Sequence, residues 1–74
     1  MRGFLFEHSR SDVNSPDGVK RTRIAAIAAT RSDALGLAGG ILPVIAMRLV
    51  DEGHEAFKLA REVGVGDGEA KVID

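Results

Sequence analysis

The chain has no cysteine, no tryptophan and no tyrosine, and it holds only three phenylalanines and two prolines in 74 residues. Without cysteine there is no disulfide to staple a small domain and no zinc–thiolate site. Scarce aromatics leave a core of Ile, Leu, Val and Ala, whose side chains bury little area each at about 25 cal/mol per Å². At this length one core supplies roughly 3–5 kcal/mol unaided. The composition therefore predicts one domain that gains stability from a partner. A dominant charge is missing too: the net value is −1, which argues against a uniformly basic nucleic-acid binder. A continuous apolar leader is also absent, because Phe4-Leu5-Phe6 gives way at once to Glu7 and His8. The expected location is the cytoplasm or the interior of an assembled particle.

What is present is unevenly spread. Residues 1–23 carry Arg2, Arg10, Lys20, Arg21 and Arg23 against Glu7, Asp12 and Asp17, a net +2. Residues 51–74 carry Lys58, Arg61 and Lys71 against seven acids, a net −4. Between them Ala34 to Met47 runs for fourteen residues without a charge, interrupted by Gly39-Gly40 and Pro43.

Residues 1–15 show no sustained periodicity and read as an arm. Ser15-Pro16-Asp17 resembles a helix start: a capping side chain, a proline suited to the first turn and an acid near the positive dipole end. From Val19 onward the alanine-rich Ile24 to Ala29 favours helix, with Ile24, Ile27 and Ala28 on one face. Thr30 followed by Asp33 is a weak capping box, which either continues this helix or restarts it. Gly39 and Gly40 terminate it. Pro43 suits the start of a second helix, in which Leu42, Ile45, Leu49, Glu52, Ala56, Leu59 and Val63 recur at steps of three and four. Gly53 is a close-packing point or a break in that helix, and Gly64 caps its end.

These signals predict an all-α fold: a helical hairpin over residues 16–64, two long antiparallel helices or the same pair broken into three or four. A flexible arm, 1–15, precedes it and a tail, 65–74, follows. Ile27, Leu35, Leu37, Ile41, Leu42, Ile45, Leu49, Phe57 and Leu59 are the expected buried contacts, within the hairpin or between copies, with Gly39, Gly40 and Pro43 setting the turn.

Signs of chemistry are sparse. Asp51 and His54 could share a metal on one helix, but only Asp33 is available opposite. Gly64-Val65-Gly66-Asp67-Gly68 looks like a phosphate loop in the wrong context, with no lysine correctly spaced. No cofactor, metal or nucleophilic triad is expected, and an enzyme is not.

Three functional readings remain. The favoured one is a non-enzymatic helical subunit that self-assembles into an oligomer, filament or shell, its basic N-terminal segment meeting the acidic C-terminal segment of a neighbour. The second is a helix-turn-helix-like DNA-binding regulator, with Lys20, Arg21, Arg23 and Arg31 contacting phosphates. The third is a membrane-associated hairpin whose apolar tip dips into a bilayer, suggested by Gly36 and Gly40 four residues apart.

Overall fold

A computed structural model describes residues 1–73. Two apolar runs, Gly3 to Phe6 and Ile24 to Ala28, are buried at every position, as central strands covered on both faces must be. They lie in β1 (Arg2–Ser11) and β2 (Val19–Ala28), an antiparallel hairpin in which Arg2 faces Ala28 and Ser11 faces Val19. The chain continues through helix α1 (Arg31–Gly39), strand β3 (Met47–Glu52), helix α2 (His54–Glu62) and strand β4 (Glu69–Val72). The strand order is β3-β1-β2-β4 with every neighbouring pair antiparallel. Strands β2 and β3 consequently run parallel on either side of β1, joined by α1 as a split β-α-β unit.

Each helix covers one face of the sheet. Phe4, Phe6, Ile24, Ala26 and Ala28 meet Ala34 and Ala38 of α1, with Leu37, Leu42, Met47 and Leu49 packed around them. On the opposite face Ala25 and Ile27 meet Ala60 and Val65, with Phe57 beside them. The result is helix, sheet, helix: three layers from a very short chain.

This corrects the all-α expectation. The run Ile24 to Ala28 is strand, not helix, because a short buried apolar run has the same local appearance in both states and tertiary pairing decides between them. The expected arm, 1–15, is mostly β1, one of the two central strands. Ser15-Pro16-Asp17 opens no helix; the same residue types build the hairpin turn. Asn14 N–H donates to Asp12 Oδ1 at 2.9 Å, Val19 N–H to Asp17 Oδ1 at 3.1 Å, and Gly18 takes φ 75°. The long second helix is instead a loop, an edge strand and a short helix, broken at Gly53, whose φ of 121° leaves the helical region. The expected tail includes β4, which pairs with Ile24 to Ile27; Asp74 lies outside the described residues.

Local signals set the helix ends. Thr30 caps α1, its side chain accepting from Asp33 N–H at 3.1 Å, so the helix starts afresh there. Helix α2 ends in a Schellman motif: Gly64 N–H donates to Arg61 O at 3.1 Å and Val65 N–H to Ala60 O at 2.9 Å, with Gly64 at φ 87°.

Candidate functional site

The uncharged segment divides by burial. Ala34 and Ala38 are fully enclosed against the sheet, and Leu37, Leu42 and Met47 pack on the same core. The aliphatic side chains of Leu35, Ile41, Val44 and Ile45 remain exposed, Ile45 at 95 %. Leu35 and Gly39 stand one turn apart on α1, and Val44 Cγ1 lies 2.8 Å from where a Cβ on Gly39 would be. Val44 thus lies against the C-terminal end of α1, on the side where Leu35 stands one turn earlier, and Ile45 adjoins it in the turn that leads into edge strand β3. The loop exists because Gly40 N–H closes on Leu37 O at 3.2 Å and Leu42 N–H on Ala38 O at 3.1 Å, after which Pro43 directs the chain into a single 3₁₀ turn, Val44–Ala46.

The expected contacts are accordingly split. Ile27 is fully buried, Leu37, Leu42, Leu49 and Phe57 pack against the cores, and Leu59 is half-buried. Leu35, Ile41 and Ile45 are not buried within the chain. Gly39 is the last residue of α1 and Gly40 its C-cap. Gly36, expected with Gly40 to bring two helix backbones together, has nothing within 4 Å of a Cβ built on it.

The basic residues do not form one group either. Lys20, Arg21 and Arg23 lie on β2, where alternation sends Lys20 to the α1 side of the sheet and the two arginines to the α2 side. Arg21 is held by Asp17 at 2.7 Å. That hydrogen bond is the chief cause that lowers the Asp17 carboxyl to about 2, helped by the Val19 amide and the Ser15 hydroxyl. Arg31 sits at the other end of the sheet, its Nε 3.0 Å from Glu52 Oε1. Glu52 also takes the Arg2 guanidinium, tying the end of β3 to the starts of β1 and α1. The helix-turn-helix reading falls with the all-α fold, because the start of the expected second helix, residues 42–50, is loop, a single 3₁₀ turn and strand.

Arg10 and His8 were hidden in the supposed arm. The register sets Arg10 opposite Lys20 and His8 opposite Thr22. Strand alternation from Phe4 and Phe6 would have found them had that segment been read as β.

Catalytic features are few. A recess of about 280 Å³ is lined by Met1, Arg2, Gly3, Gly53, His54 and Phe57. Another, of about 450 Å³, runs along α1 past Ser32, Asp33 and Gly36. No group of three or more His, Cys, Asp and Glu side chains suited to a metal occurs among the described residues. Asp51 lies within strand β3 and His54 begins helix α2, so the helical pairing expected of them is lost. The glycine-rich segment 64–68 joins α2 to β4 and opens no helix. Among the described residues no helix is long and apolar enough to cross a membrane. No family model, curated protein or solved structure matches the chain.

Proposed function

We propose that the protein is a non-enzymatic subunit that associates with copies of itself through Leu35, Ile41, Val44 and Ile45. The observation that carries this reading is Ile45, 95 % exposed within a charge-free segment. Scattered exposed aliphatics are ordinary, whereas a contiguous apolar surface marks an interaction site. Because the segment has no charge, it offers nothing for an oppositely charged partner to read. The same surface on a second copy is its chemical match, and twofold pairing sets like against like.

The fold changes the reason for association. A bare helical hairpin would need neighbours to cover its apolar stripes, but here the sheet covers both helices. Assembly therefore rests on the loop surface and not on rescue of an uncovered core. Light scattering across concentration tests the proposal. The mass of the native chain should rise with concentration, and Ile45→Asp should remain monomeric with an unchanged circular dichroism spectrum. A native chain monomeric throughout would overturn the reading, as would flotation with lipid vesicles in place of self-association.

A further inference from the structure

Five arginines are held by carboxylates: Arg2 and Arg31 by Glu52, Arg21 by Asp17, Arg48 by Glu7 and Arg61 by Asp67. Arg10 and Lys20 are different. They face each other directly across the β1–β2 ladder, and among the described residues neither has an ion pair or hydrogen bond from its side chain. Like charges in directly opposed positions destabilise a ladder, and among the described residues no carboxylate pairs with either of them. His8 and Thr22 are the next opposed pair on the same face. His8 is only 6 % exposed, yet its side chain makes no hydrogen bond among the described residues. Since no enclosed side-chain nitrogen or oxygen there lacks a partner, both its ring nitrogens must reach the surface.

We propose that this face of the hairpin binds the phosphate backbone of duplex nucleic acid, with Arg10 and Lys20 as the principal contacts and His8 and Thr22 as flanking polar groups. The shape of the site favours a polymer. Strand β3 reaches only to His8 along β1, and β4 only to Ile24 along β2, so residues 9–11 and 19–22 stand clear of the sheet as a two-stranded ribbon. An open ribbon cannot enclose a small ligand as a concave pocket does, whereas the major groove admits a structure of this width. Basic side chains on such a ribbon meet phosphates and set its position. The acids of the turn are already occupied: Asp12 accepts from the Asn14 amide, and Asp17 from Ser15, Val19 and Arg21.

Fluorescence anisotropy with a labelled DNA duplex of mixed sequence, over a series of salt concentrations, tests the proposal. The native chain should bind at low salt and weaken steeply as salt rises. The double variant R10A/K20A should bind at least tenfold more weakly, its salt slope reduced by about two, since each lost phosphate contact removes about 0.9. R31A should bind like the native chain. R10E should lose binding and yet melt at a higher temperature, because a glutamate opposite Lys20 replaces repulsion with attraction; it also carries the test should the double variant fail to fold. No binding by the native chain, or binding by R10A/K20A and R10E as tight as the native chain's, overturns the proposal. So does loss of self-association in these variants while duplex binding persists, which would place the pair at a subunit interface.

Discussion

The two faces of the sheet are covered by helices of equal length in opposite ways. On the α1 side the sheet supplies the bulk: Phe4 and Phe6 are buried with ring centroids 6.4 Å apart, beside Ile24, and the helix answers with Ala34 and Ala38. On the α2 side the sheet supplies space. Gly3 lies so close beneath the helix that an added Cβ would stand 2.0 Å from Phe57 N and 2.1 Å from Phe57 Cα. Helix α2 therefore rests its backbone on the strand, with Ala56 buried at the contact and Ala60 buried against Ala25 and Ile27 of β2. One face is held by volume and the other by closeness, so the first should break on deletion and the second on addition.

Phe4→Ala should show the largest effect, about 3–5 kcal/mol lost to transfer and cavity terms, which in a domain this small amounts to unfolding. Gly3→Ala, an added methyl on the other face of the same strand, should cost about 3 kcal/mol, because backbone cannot swing aside as a flexible side chain can. Urea denaturation of both variants checks the contrast, and a harmless Gly3→Ala would dissolve it. Gly36→Ala sharpens it in the opposite direction. Open space surrounds that position on α1, so alanine should stabilise by about 0.5–1 kcal/mol through helix propensity alone, read as a higher urea midpoint.

The hairpin turn lies beyond both helices and should respond independently of either face. Asp17 titrates at about 2 in place of 3.8, chiefly through its hydrogen bond from Arg21. A carboxyl lowered on folding contributes stability that is present above about pH 4 and lost as pH falls through about 2. NMR titration should show the Asp17 carboxyl moving with that low midpoint, and the Val19 amide should lose exchange protection in step. A midpoint near 3.8 would mean that the turn is not closed by this side chain.

Much of the punctuation was readable along the chain. Thr30 with Asp33, Gly39-Gly40 and Gly64 mark helix ends through local hydrogen bonds and backbone angles that do not depend on distant partners. The identity of the elements was not readable in the same way. Ile24 to Ala28 is apolar at consecutive positions, so it carries neither the alternation of a half-exposed strand nor the stripe of an amphipathic helix, and its alanines favour helix until a sheet claims them. Leu42, Ile45 and Leu49 fell into step with Ala56 and Leu59 by spacing alone, although Gly53 separates the two groups with a non-helical backbone. The basic face of the hairpin is not legible in the sequence because Arg10 and Lys20 are ten residues apart, and only strand pairing makes them neighbours.

By itself the sequence determined where the chain turns and stops, which side chains can form a core without a covalent staple, and where a charge-free segment interrupts a charged chain. These properties follow from residue chemistry acting over a few positions. Tertiary structure decided that the alanine-rich run is a strand and that Gly3 is a seat for a helix. It also decided that two like charges face each other on an open ribbon, because those outcomes depend on long-range hydrogen bonding and on burial from both sides, which no local window contains.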